Sequence, residues 1–231
     1  MKGRRLLTSA VVVVVALVLG VVVGRLWDMA PTTTTTTTTT TNVTTTLPAQ
    51  PVEAIWPQAW TPTRFATPLL AAQTFALDYL GFTDLVVEPY QSGDSRSGEV
   101  PIRSSLSGAR TTVLVRQVTS DDTWWVIGAV SPNLLVSTPS ALQVITNPVR
   151  VKGTSTAYEG VVNVEIRQDA NLSPLVRTTV MGGSMGVMGP FSATLAYKSP
   201  TSSSGAIVLF TRSAKDGSLL EASVLRVSFK K

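Results

Sequence analysis

Neither histidine nor cysteine occurs in the 231 residues of this chain. Without Cys there is no disulfide, thiolate nucleophile, Cys-bound zinc, iron–sulfur cluster or acylated lipoprotein Cys. Without His, the usual general base near neutral pH and the commonest metal ligand are also missing. Charge is sparse as well, at 14% of residues, and aromatics make up 6%. What remains is the chemistry of carboxylates, hydroxyls, Lys and Arg, so no cofactor and no metal site is expected.

The hydrophobic fraction of 44% is high for a soluble chain, and the excess is local. Leu6 to Gly24 runs nineteen residues without a charge. At 1.5 Å per residue this reaches about 28 Å, close to the ~30 Å of a bilayer core. Lys2, Arg4 and Arg5 precede the run, whereas Arg25 and Asp28 after it cancel. The positive-inside rule then places residues 1–5 in the cytoplasm, a single transmembrane helix at 6–27 and the rest of the chain outside. A cleaved secretory signal is the rival, but the run exceeds the usual 7–15 apolar residues, and Arg25–Ala30 lacks a small-x-small cleavage site. An uncleaved, single-pass anchor in a bacterial cell membrane is therefore the expectation.

Residues 28–53 form a Thr/Pro-rich linker with ten consecutive threonines, Thr32 to Thr41. It has almost nothing to bury and is expected to act as an extended, disordered stalk. Asn42-Val43-Thr44 fits the N-glycosylation triplet, a pattern that arises easily by chance in a Thr tract.

The formal charge of +5 does not point to nucleic acid. Beyond the anchor the chain carries 15 basic and 13 acidic residues, with no basic stripe. Within that part the charge is uneven, 5 basic against 7 acidic over residues 54–138 and 10 against 5 over 142–231.

Residues 54–138 read as an α+β domain. Pro68 opens and Gly81 closes an amphipathic helix of about twelve residues carrying Leu69, Ala72, Phe75 or Ala76, Tyr79 and Leu80. The runs GEVPIRSS, TTVLVRQV and TWWVIGAV read as strands, with a shorter one at Leu85–Tyr90, which predicts a helix lying on an antiparallel sheet. Residues 142–231 hold seven short β-runs and no helical period, as an antiparallel sandwich requires. In VVNVEIR, alternation turns Val162, Val164 and Ile166 inward and Asn163, Glu165 and Arg167 toward water.

The last segment resembles the immunoglobulin-like domain that accompanies bacterial spore-germination proteins. The landmarks are Thr146-Asn147-Pro148, the block Val151–Gln168, the glycine-rich Met181–Tyr197 and Phe210–Ser218. The resemblance implies an extracytoplasmic immunoglobulin-like sandwich with no catalytic residues to carry over, and it does not bring germination itself. The middle segment is loosely similar to exported actinobacterial domains of the cystatin or nuclear-transport-factor-like kind. The 13 Arg against 6 Lys and the Val/Ala/Thr wealth suit a high-G+C bacterium.

No catalytic, cofactor-binding or metal residue is assigned. Ser-x-x-Lys, the His-free serine dyad, occurs only at Ser228–Lys231. A glycan hydrolase needs two carboxylates about 5–9.5 Å apart; Asp94, Glu99, Asp121 and Asp122 are available, all in turn-like contexts. The glycines at 182, 183, 186 and 189 match neither a P-loop nor GxGxxG and read as a strand-connecting loop. Its methionines, Met181, Met185 and Met188, are expected to pack in the core, a contact surface being the alternative. Trp124 and Trp125 must point to opposite faces of their strand, and both are expected to be covered. These readings favour a non-enzymatic binding or scaffolding protein of the cell envelope, with envelope proteins, wall glycan or anionic wall polymer as partners. A carboxylate-based cell-wall glycan hydrolase centred on residues 54–138 is the alternative.

Overall fold

The computed structural model describes residues 50–58 and 60–230. The expected anchor, nearly all of the stalk and Lys231 of the Ser-x-x-Lys match lie outside these described residues. Among them no helix is long and apolar enough to cross a membrane.

Among the described residues the fold is mostly β, with one short helix and two sheets. The helix begins as α1 (Pro68–Thr74) and continues as a π-helical stretch, Phe75–Leu80. Thr67 stands at the N-cap in extended geometry, its Oγ1 accepting the Leu70 N–H at 3.3 Å, and Pro68 supplies the preset first turn. Gly81, at φ 86°, stops the helix, and its N–H bonds five residues back to Ala76. Ala71, Ala72, Phe75, Ala76, Tyr79 and Leu80 are buried, with the Phe75 and Tyr79 rings stacked 5.1 Å apart. Leu69, expected on that face, is instead exposed.

After the helix come β1 (Val86–Val87), β2 (Gln91–Ser92), β3 (Ser97–Arg103), β4 (Arg110–Arg116) and β5 (Trp125–Val130). They are followed by β6 (Leu134–Thr138), β7 (Val144–Ile145), β8 (Val149–Ala157), a 3-10 turn at Tyr158–Gly160, β9 (Val161–Gln168) and β10 (Val176–Met181). The short β11 (Gly183–Ser184), β12 (Gly189–Leu195), β13 (Ser204–Arg212) and β14 (Leu219–Phe229) complete the order. The smaller sheet has β8 at its centre, antiparallel to β6 and β12 and parallel to β11. Leu134–Thr138, which the sequence reading attaches to the middle segment, thus pairs with the strands of the sandwich.

The larger sheet has ten strands along the path β1-β3-β4-β5-β14-β13-β9-β10, with β2 beside β3 and β7 beside β14. The helix-covered strands and the sandwich strands share this sheet, joined where β14 meets β5 at Val224 and Ala129. Side chains reinforce the seam. Thr111 Oγ1 accepts the Ala222 N–H at 2.9 Å, while Ser223 Oγ accepts the Ser131 N–H at 2.8 Å and donates to the Leu134 carbonyl at 2.6 Å.

Sharing a sheet produces three layers, and the burial pattern shows it. On β13, Ala206, Val208 and Phe210 enter the core under the helix, whereas Ile207 and Leu209 enter the core between the sheets. A strand covered on both faces reads as a continuous apolar run rather than an alternation. β9 departs from expectation for the same reason. Val162, Val164 and Ile166 do face the inter-sheet core, but Glu165 and Arg167 do not reach water: they are 0% and 7% exposed. The end of the helix covers them. Arg167 pairs with Glu165 at 2.6 Å, donates to the Tyr79 carbonyl and stacks over the Tyr79 ring at 5.0 Å. Arg177 closes the other side of Glu165 at 2.5 Å.

The segment before the helix is fixed by a similar device. Arg226, 3% exposed, donates to the Val52 carbonyl at 2.7 Å and holds Asp169 through both carboxylate oxygens, at 2.5 and 2.8 Å.

Candidate functional site

Two features of the surface stand apart from ordinary solvation. The first is the end of the sandwich where β8, β9 and β10 finish. The ladder pairs Met181 with Val161, the Gly182 N–H bonds to the Gly160 carbonyl at 2.9 Å, and β11 lies beside the end of β8. A tight turn then closes at Ser184–Val187, with the Val187 N–H on the Ser184 carbonyl at 2.9 Å. Its two central residues, Met185 and Gly186, have φ of 55° and 82°, which defines a type I′ turn. Gly186 takes that conformation without penalty; Met185 does not. In the adjoining turn Glu159 is also left-handed, at φ 56°.

This end carries Tyr158, Val161, Met181, Met185, Val187 and Met188, all exposed, with Met185 at 78%. The expectation that the methionines pack in the core is therefore overturned. The reason is the short β11: once it has paired with β8, the loop must turn back toward β12, and the turn projects its side chains outward. Together they expose on the order of 600 Å² of apolar surface, the upper end of what a monomer usually leaves uncovered.

The second feature is a groove of about 310 Å³ on the face of the larger sheet opposite the helix. Its floor is Leu114 of β4 with Ile127 and Gly128 of β5, and Leu135 and Val136 of β6 form a wall. Leu114 and Ile127 also border a neighbouring, more polar depression that reaches Glu99, Gln91 and Ser92. A register shift in the β4–β5 ladder at Leu114/Val115 brings Ile127 onto this face.

The four carboxylates considered for hydrolysis are all exposed. Asp94 accepts the Arg96 backbone N–H at 2.7 Å, and this bond, with help from Ser97, holds its carboxyl below the usual range. Asp121 is lowered by the hydroxyls of Thr119 and then Thr123. Asp122 pairs with Arg96 at 3.1 Å, and Glu99 alone borders the depression beside the groove. A general acid needs its proton held at working pH, and Asp94 and Asp121 are displaced the wrong way. The described carboxyl that is pushed up is Glu221, raised by burial against the hydrogen bonds of Ser131, Asn133 and Thr211. It is 4% exposed, between the sheets. Among the described residues no group of three or more Asp or Glu side chains is placed to hold a metal ion.

Both tryptophans are covered, as expected. Trp124 lies in the core beneath the helix, edge-on to Tyr90 at 5.5 Å. Trp125, on the other face, donates to Thr119 Oγ1 at 3.2 Å and carries the Arg64 guanidinium over its ring at 4.9 Å. Sequence reasoning missed Tyr158 and the whole groove. The groove exists because β6 leaves β5 to pair with β8, a long-range choice that leaves no local sequence signal.

The sandwich built from β6 to β13, with one of its sheets prolonged beneath a helix, forms an immunoglobulin-like β domain within the chain. More particularly, residues 133–218 match the family model described as the immunoglobulin-like domain of bacterial spore germination, Gmad2. The match begins just before β6 and ends just before β14. No curated protein and no solved structure matches the chain.

Proposed function

We propose that this protein is a non-enzymatic binding or scaffolding module of the bacterial cell envelope. In this reading residues 6–27 cross the membrane once with the N-terminus in the cytoplasm, and residues 28–53 are the stalk that presents the folded part outside. The observation that carries it is the apolar end of the sandwich. Met185 bears a left-handed backbone penalty of roughly 1–2 kcal/mol and gains no burial for it. Strain retained at an exposed apolar residue favours a role in contact. The chemistry fits a protein partner better than wall glycan or anionic polymer, since residues 158–161 and 181–188 of this apolar end include no Lys or Arg and no aromatic besides Tyr158. The hydrolase alternative draws no support from the four acids, only one of which reaches a depression.

The test is capture by the full chain, solubilised from envelope membranes in mild detergent, compared with a Met185→Asp/Val187→Asp variant. Wild type retains a discrete partner and the variant loses it. Identical retention by both, or none by either, refutes the assignment.

A further inference from the structure

Among the described residues, sulfur is confined to one place. The chain has no Cys, and of its five methionines Met1 and Met29 lie outside the described residues. The other three, Met181, Met185 and Met188, fall on the apolar end and are 64, 78 and 41% exposed. The backbone puts them there. Met181 closes the β10 ladder opposite Val161, Met185 stands in the centre of the Ser184–Val187 turn, and Met188 directly precedes β12. The Met181 methyl lies against the 158–160 turn, 3.5 Å from where a Cβ on Gly160 would stand.

A thioether reacts with a peroxide at a rate set largely by access to the sulfur. With hydrogen peroxide, the sulfur lone pair attacks one oxygen: the S–O bond forms as the O–O bond breaks. Sulfur is oxidised by two electrons, and the departing hydroxide takes the proton of the transferred oxygen and leaves as water. The product, methionine sulfoxide, is polar, and thiol-dependent reductases return it to the thioether. No thiol in this chain competes for the oxidant.

The consequences for fold and surface differ. The three side chains are exposed, and the bonds that shape the loop, from the Gly182 and Val187 N–H groups, are backbone bonds, so the fold should tolerate the added oxygens. A contact made through these side chains should not. Each sulfoxide oxygen carried into an apolar interface leaves water without a hydrogen-bond partner.

We propose that Met181, Met185 and Met188 form a sulfoxidation site for peroxides, and that their oxidation releases the partner held by the apolar end. The release rests on the binding role proposed above; the site does not.

The experiment treats the full chain, in mild detergent, with hydrogen peroxide and follows it by peptide mass spectrometry, thermal melting and partner capture. Each of the three methionines should gain one oxygen within about threefold of its rate in the urea-unfolded chain. The melting temperature should move by no more than about 2 °C, as for other changes at exposed positions. Capture should fall by about tenfold or more and return after treatment with methionine sulfoxide reductases and a dithiol. Met181→Leu/Met185→Leu/Met188→Leu keeps the end apolar and cannot take up oxygen, so it should hold its partner through the same treatment. Oxidation slowed by folding about tenfold or more at any of the three overturns the site, as does a melting temperature that collapses on oxidation. Capture unchanged in the oxidised wild type, or lost equally from the leucine variant, overturns the release. If the untreated chain captures nothing, the binding role and the release fall together, and the mass spectra alone decide the site.

Discussion

Glu165 and Arg167 give the sharpest test of the three-layer arrangement. If the helix truly covers this face of β9, Glu165→Leu leaves the Arg167 guanidinium, whose side chain is 9% exposed, without its counter-charge. Breaking a buried pair from one side costs about 3–5 kcal/mol. The second partner adds little, since Arg177 is 62% exposed and such pairs contribute roughly 0–1 kcal/mol. For a unit of this size the melting temperature should fall by about 10 °C. Replacing both residues with leucine should cost far less. The desolvation of the two charges is recovered, and what remains is a Tyr79 carbonyl without its donor, about 1–3 kcal/mol. The cycle should show a coupling of at least about 2 kcal/mol, with little dependence on salt because the pair is shielded from solvent. Thermal and urea melts of the single and double variants would measure it. If Glu165→Leu cost less than 1 kcal/mol, or if the two changes simply added, the pair would be solvated and the helix would not lie where it is described.

Three further outcomes follow from side chains whose surroundings are equally explicit. Burial holds the folded pKa of Glu221 above its ordinary 4.5, so its contribution to stability is fully present below the unfolded pKa and is lost as pH rises through the folded one. Glu221→Gln should therefore raise the melting temperature at pH 7 and give no gain at pH 4; a gain at both would mean that charge is not the cause. Gly182→Ala should destabilise by about 1–3 kcal/mol, since a Cβ there overlaps the buried Ser155 Oγ, and adding Ser155→Ala should recover part of the loss. Because Ser155 Oγ has no hydrogen-bond partner, Ser155→Ala alone should be neutral or stabilising in the same melts. Met185→Asn, which installs the Asn-Gly pair that a type I′ turn prefers, should stabilise by about 1 kcal/mol in denaturant titrations; a loss of stability would mean that the turn is not of this type.

Local features were legible in the amino-acid order. Pro68 and Gly81 bound the helix, and β3, β4, β5, β8, β9 and β13 fall on the runs that propensity marks. The sandwich was legible too, because strict alternation on β8 reports one wet and one dry face. Alternation misled on β9, where Glu165 and Arg167 occupy the positions that usually meet solvent. A helix about ninety residues earlier in the chain covers them, and nothing local announces it. The same distance hid the joined sheet, because the pairing of β14 with β5 is a contact between residues roughly a hundred apart. As for the candidate site, the glycine-rich loop stood out on composition, but its direction did not. Whether Met185 turns inward or outward is decided by the pairing of two residues, Gly183 and Ser184, with β8.

The position of β14 has a consequence for how the fold is reached. Among the described elements it is last in chain order, yet it lies in the middle of the larger sheet, between β5 and β13. The Val52–Arg226 bond spans 174 residues and Ser131–Ser223 spans 92. Neither the helix-covered strands nor the family-matched segment 133–218 can close its sheet until that strand arrives. Pairing of such long range is slow to form, because the loop entropy must be met before any contact rewards it. Folding is thereby deferred until the strand is available, so a chain cut short of β14 would leave both halves with an open sheet edge.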